Sequence, residues 1–299
     1  MAEITQILCP VDLSEISRHA LDHARAIAKW YDAHLTVFHV VTPPAPLIPS
    51  TGMAEALPVP LPQLGEVAEE VRRFSGLTDA RAGNCSEVLV VEGTPVKEIL
   101  RKADSLPADL VVMATHGRGG FEALFLGAVT ETVLRSTHAP VLTVPPPVER
   151  VESVIYKTIL CPIEFSDPST RALEYALTLA EETGARLILL HVIEKLVDAP
   201  QFAEIAHFSV TEYQQRLEED ARARLTSVVP QEARVWCTPE ERVVSGRAYQ
   251  VILDVAEQEK AELIVMGVHG KGALNRRLFG STTHHVIRQA RCPVLTLRG

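Results

Sequence analysis

The sequence predicts an α/β protein of two tandem domains, each a parallel sheet covered on both faces by helices. Three observations carry that expectation. The chain has 299 residues, about two domains' worth. It repeats itself at a nearly fixed offset. Within each repeat, short aliphatic runs alternate with amphipathic stretches. The repeat shows first in Ile7-Leu8-Cys9-Pro10 and Ile159-Leu160-Cys161-Pro162, an offset of 152 (159 − 7), which His39-Val40 and His191-Val192 share. After one insertion the offset is 153 (246 − 93). It then relates Gly93 to Gly246, His116 to His269, Gly117 to Gly270, Gly127 to Gly280, and Pro140-Val141-Leu142-Thr143 to Pro293-Val294-Leu295-Thr296. Copies of about 145 residues at so long an offset mean duplicated domains rather than a solenoid. The expected domains are 1–147 and 155–299, parted by the prolines Pro145, Pro146 and Pro147.

The elements are clearest in the second half. Residues 158–163 form an aliphatic first strand. Ser166-Asp167-Pro168 then supplies a cap and a first-turn proline, followed by Ala172, Leu173, Ala176, Leu177 and Ala180 at helical spacing. Further strands are expected at 186–193, 233–237, 263–266 and 294–297, with Gly280-Ser281 opening a helix that runs through Gln289. Near-continuous apolar strands fit burial on both faces. On such sheets ligands sit beyond the carboxyl ends of the strands, so the segments following each run are the place to look.

Composition narrows the function. At 46% hydrophobic and 22% charged, the chain is an ordinary globular protein. Its 29 basic against 38 acidic residues give a net charge of −9, which argues against a general nucleic-acid or anionic-membrane surface. No apolar run is long enough to span a membrane and no signal peptide opens the chain, so the cytoplasm is expected. Five cysteines without a C-x-x-C pair read as reduced thiols.

An anion site would then be built from a few residues. After residues 263–266 come Gly267-Val268-His269-Gly270, nine residues, and Gly280-Ser281 at a helix start. Glycines let backbone N–H groups approach an anion, and a helix N-terminus adds free donors and a favourable dipole. Lys271, Arg276 and Arg277 lie between. A glycine turn beside a solvated basic face is the alternative reading.

The spacing Gly-x-x-Gly-x9-Gly-Ser, with the paired Ile-Leu-Cys-Pro, His-Val and Pro-Val-Leu-Thr runs, resembles the universal stress protein family along nearly the whole of both halves. The resemblance implies Rossmann-like domains of the adenine nucleotide alpha hydrolase type. Each would have a five-stranded parallel sheet, and the two would pair through their last strands inside one chain. In one subclass it also implies ATP binding without an established reaction. Carried over residue by residue, it places phosphates at Gly270, Gly280, Ser281 and Thr282, with Gly267 and His269 toward the ribose and Met266 also among the nucleotide-binding residues. Adenine would lie near Pro162, Ile163, Glu164 and Val192. The family usually has Asp where Glu164 stands. The first half keeps Asp12, with Val40, His116, Gly117 and Gly127 as weaker candidates. It has Ala114 for the first glycine, Ala128 for the hydroxyl, and Glu122 and Ala123 for Asn275 and Arg276. If position 114 needs positive φ, alanine there strains the turn.

The expected function is a nucleotide-binding stress regulator that takes ATP, with or without Mg2+, chiefly in the second half, and that acts through a protein partner. A slow ATPase and a nucleotide-free dimeric adaptor are the alternatives, and the chain could also form a further homodimer. No catalytic residue and no metal ligand is assigned. Ser14 and Ser166 read as helix caps, and His39 and His191 as packed, hydrogen-bonded residues. Cys9 and Cys161, near the adenine slot, leave a redox-sensing role open, and His284-His285 with Cys292 fits no zinc spacing. The proline-rich segment 42–63 and its counterpart 194–209, with Phe202 and Phe208, could cover a site or contact another chain.

Overall fold

A computed structural model describes residues 4–43, 63–77, 86–117, 126–146, 156–194, 210–268 and 280–298. The expectations for Lys271, Arg276, Arg277, Glu122, Ala123, Phe202, Phe208 and most of 42–63 fall outside these residues. The described chain divides into two compact units, 4–139 and 140–298.

The first unit runs β1 (Gln6–Pro10), α1 (Glu15–Tyr31), β2 (His34–Val41), α2 (Leu64–Ser75), β3 (Ser86–Glu92), α3 (Pro95–Ser105), β4 (Leu110–Ala114) and α4 (Ala128–Ser136). Its strands lie parallel in the order β3-β2-β1-β4. Consecutive residues of β1 and β4 are buried, which requires cover on both faces. Helix α1 packs on β1, β2 and β4 beside α2, and α3 packs beside α4.

The second unit begins with β5 (Val141–Val144), the last strand of the first repeat. Then come β6 (Thr158–Pro162), α5 (Asp167–Thr183), β7 (Arg186–Ile193), α6 (Val210–Val228), β8 (Glu240–Ser245), α7 (Ala248–Gln258), β9 (Leu263–Gly267), α8 (Ser281–Gln289) and β10 (Val294–Leu297). The order is β5-β10-β9-β6-β7-β8, parallel except for β5, which runs antiparallel to β10. Thr143 and Thr296 are buried at that junction. The Thr143 hydroxyl donates to the Val294 carbonyl and that of Thr296 to the Val141 carbonyl, each at 3.1 Å. Among the described residues, no helix is long and apolar enough to cross a membrane.

Local chemistry explains the helix starts. The Ser14 side chain accepts from Ser17 N, and Ser166 forms a capping box with Ser169. Both helices end on a left-handed residue, Asp32 or Gly184.

One strand expectation is overturned. Residues Ala233–Val235 form a short 3-10 helix, and the strand is β8, Glu240–Ser245. The run 233–237 has the apolar pattern, but β8 is held as the outer strand by charge. Arg186 on β7 and Arg242 on β8 each pair with both Glu240 and Glu259, the residue that caps α7. Hydrogen bonds from Arg186 and then Arg242 hold the Glu240 carboxyl below its ordinary range. The two arginines, Arg242 first, do the same for Glu259.

Candidate functional site

At the carboxyl ends of β6 and β7, the chain leaves the sheet along a tightly held path. Ile163 N donates to the Leu190 carbonyl at 2.8 Å, and Nδ1 of His191 lies 2.7 Å from the Ile163 carbonyl. A carbonyl only accepts, so Nδ1–H is the donor. The next two residues are Glu164, half-buried, and Phe165, whose φ of 61° is unusual for a bulky residue. The Phe165 ring packs 4.7 Å from that of His191, and the Arg224 guanidinium of α6 lies 4.0 Å over it. The first half repeats the pattern. Val11 N donates to the Phe38 carbonyl at 2.8 Å, Nδ1 of His39 to the Val11 carbonyl at 2.7 Å, and Leu13 has φ of 64°. The two strand-end histidines are thus packed, hydrogen-bonded residues.

The two acids are held differently. Asp12 Oδ1 accepts from both the backbone N and the hydroxyl of Ser14, at 3.0 and 2.6 Å. Among the described residues, Glu164 Oε1 accepts the Ser166 hydroxyl alone, at 2.8 Å, because Ser166 N donates to the Ser169 hydroxyl of the capping box instead. The longer side chain keeps one of the two bonds. Gly117 closes the first site against the acid: a Cβ there would lie 2.6 Å from Asp12 Oδ2.

The glycine side begins where β9 ends, beside β6. Gly267 is a glycine because the first turn of α5 presses on it: a Cβ would lie 2.8 Å from the Pro168 carbonyl carbon and 2.9 Å from Ser169 N. Neither Gly267 nor Ala114 has positive φ, so the strain expected at Ala114 is absent. The requirement at this position is room, not handedness.

At the helix starts, Gly280 N donates to the Val268 carbonyl at 3.1 Å and the Thr283 hydroxyl to the Gly267 carbonyl at 3.0 Å. Gly127 N and the Thr130 hydroxyl bond the Thr115 and Ala114 carbonyls at 2.8 and 2.9 Å. These two buried threonines tie each helix start to its strand end. Sequence reasoning passed over them, although their shared offset of 153 (283 − 130) was a signal. The Gly280 amide is engaged, and the first bond within α8 runs from His284 N to the Gly280 carbonyl. The amides of Ser281, Thr282 and Thr283 precede it and are the ones an anion could use. Ser281 is exposed and Thr282 half-buried. The first turn of α8 holds no acid, whereas that of α4 begins with Ala128 and holds Glu131.

Pro162, Ile163 and Met266 are buried and Val192 half-buried, all at the same strand ends. Asp12, Val40, His116, Gly117 and Gly127 occupy matching places in the first half, and the Thr115 hydroxyl lies 2.9 Å from His116 Nδ1. His269 and Gly270 lie outside the described residues. Cys9 and Cys161 are fully buried, and desolvation pushes each thiol up to about 12, which suppresses the thiolate that redox chemistry needs. Among the described residues no group of three His, Cys, Asp or Glu is placed to hold a metal. The His285 ring stacks instead on Tyr249 at 4.4 Å.

The family model described as the universal stress protein family matches residues 3–145 and again 155–298. A universal stress protein of Thermus aquaticus is 36% identical over 146 residues, which cover 48% of this chain and 100% of that one. A universal stress protein of Mycolicibacterium smegmatis is 26% identical over 302 residues, 98% of this chain and 96% of the other. Among solved structures, that of a universal stress protein from Archaeoglobus fulgidus shares the fold over 99% of this chain and 97% of its own, with a TM-score of 0.68 and 24% identity.

Proposed function

Because the chain belongs to the universal stress protein family through both of its halves, we propose that it binds an adenine nucleotide in its second half and that occupancy changes how it meets a protein partner during stress. The nucleotide is ATP, alone or with Mg2+. Its base lies against Pro162, Ile163, Glu164 and Val192, with Met266, Gly267 and His269 toward the ribose. Its phosphates meet Gly270, Gly280, Ser281 and Thr282. The protein acts in the cytoplasm, and no residue is assigned a catalytic role.

One contrast carries the reading. Two helix starts with the same threonine tie and the same glycine bond differ at the positions that would face an anion. Ser281 and a first turn without acid stand in α8; Ala128 and Glu131 stand in α4. A hydrogen bond to a charged group contributes about 1.5–3 kcal/mol, so the hydroxyl alone gives the second site roughly a tenfold advantage or more. A carboxylate in the first turn of α4 widens it.

Mass spectrometry of nucleotide released on denaturing the purified protein tests the proposal. ATP at about one per chain supports it, and ADP directs attention to turnover. A chain that carries no nucleotide and binds none on titration overturns it.

A further inference from the structure

Resting on the nucleotide reading above, the geometry points to His191 as a positioning residue that sets the shape of the base-side slot. Two consecutive residues of β7 grip Ile163 from both sides: the Leu190 carbonyl takes its N–H at 2.8 Å, and the His191 Nδ1–H bonds its carbonyl at 2.7 Å. The next residue along β7 is Val192, the opposite wall of the slot. The clasp therefore fixes the distance between the two walls.

The same ring holds the acid. Glu164 sits between Ile163, which the clasp fixes, and Phe165, whose left-handed backbone is costly for a bulky residue and survives only where the surroundings impose it. Those surroundings include the His191 ring on Phe165 at 4.7 Å and the Arg224 guanidinium at 4.0 Å. With both neighbours pinned, the backbone of Glu164 is set, and the Ser166 hydroxyl holds its carboxylate from there. The His39 clasp on Val11 and the left-handed Leu13 repeat the arrangement in the first half. The clasp thus belongs to the base side, which the halves share, and not to the phosphate side, where they differ.

The test is titration of the full chain with ATP and with GTP, alongside thermal melts, for wild type, His191→Phe and His191→Asn. Phenylalanine keeps the ring and loses the donor; asparagine carries its Nδ2 at the same number of bonds from Cβ as the imidazole Nδ1. The expected result is about a tenfold loss of ATP affinity in His191→Phe, with GTP affinity nearly unchanged, so that base preference collapses. His191→Asn, which keeps the donor but not the ring, restores part of it. Equal losses for both nucleotides, or no loss, overturn the positioning role. Should His191→Phe fail to fold, a His191→Ala variant that melts cooperatively and keeps wild-type ATP affinity overturns it as well. A wild-type chain that binds neither nucleotide refutes the nucleotide reading itself, and the role given to His191 falls with it.

Discussion

Adding one methyl group at Gly267 probes the contact that joins the two sides of the site. The new Cβ of Gly267→Ala would lie 2.8 Å from the Pro168 carbonyl carbon, 2.9 Å from Pro168 Cβ and 2.9 Å from Ser169 N. Favourable carbon contacts begin near 3.5 Å, so the shortfall is about 0.7 Å. Two of the three atoms are backbone in the first turn of α5, and no side-chain rotation relieves them. The helix start must retreat, and overpacking of this kind costs about 1–3 kcal/mol. That turn also carries Ser169, whose hydroxyl takes the Ser166 amide hydrogen, and Ser166 in turn bonds Glu164. Stability and ATP affinity should therefore fall together. Urea melts followed by the second unit's signal measure the first, and calorimetric titration the second. The reverse change in the first half, Ala114→Gly, should cost about 1 kcal/mol by another route, the glycine entropy penalty in a strand together with the loss of a buried methyl. A Gly267→Ala protein with an unchanged midpoint would refute the packing argument outright.

Ser281→Ala should weaken ATP about tenfold by calorimetry while leaving the melting temperature in place; unchanged affinity would remove the phosphate seat from α8. His23 is 3% exposed, and burial, aided by His19, lowers its imidazole to about 3 from the ordinary 6.5. The unfolded chain then binds the extra proton, so stability is fully present above pH 6.5 and falls as the pH drops toward 3. At pH 5 this amounts to about 2 kcal/mol. His23→Leu should lose that much less than wild type between pH 7.5 and pH 5 in urea melts, and parallel losses would exonerate His23. Cys9 and Cys161, held as thiols by burial, should react with iodoacetamide at pH 7.5 at least about a hundredfold more slowly in the native protein than in urea. Rapid native labelling, mapped by peptide mass, would reopen a redox role.

The repeat made most of the fold legible. Strands β1, β6, β4, β9, β5 and β10 are short aliphatic runs that recur at matching offsets, and Ser166-Asp167-Pro168 announced α5 in its own chemistry. What escaped was set by partners distant in sequence. Strand β8 begins Glu-Glu-Arg, a poor strand pattern in isolation, and only the positions of Arg186 and Glu259 explain it. Leu13 and Phe165 gave no hint of a left-handed backbone, because such residues rarely adopt one. Opposite Ala114, the glycine of the other half reads from sequence as a sign of handedness, while the structure shows it marks a close approach by α5. The effect of Glu164 in place of Asp depends on which acceptor the Ser166 N–H meets, and that is decided three residues further on, by Ser169.

The ring of Arg186, Glu240, Arg242 and Glu259 also bears on how copies of this protein behave at high concentration. Strand β8 ends its sheet, and an outer strand offers unpaired amides and carbonyls to any other strand it meets. A docking strand would have to displace or desolvate interlocked charges before it could pair. At the matching place on β3 the first half carries Leu89 beside Phe38, where β8 sets Arg242 beside Leu190. The two outer strands are therefore unequally guarded, and strong salt, which loosens exposed ion pairs, would narrow the difference between them.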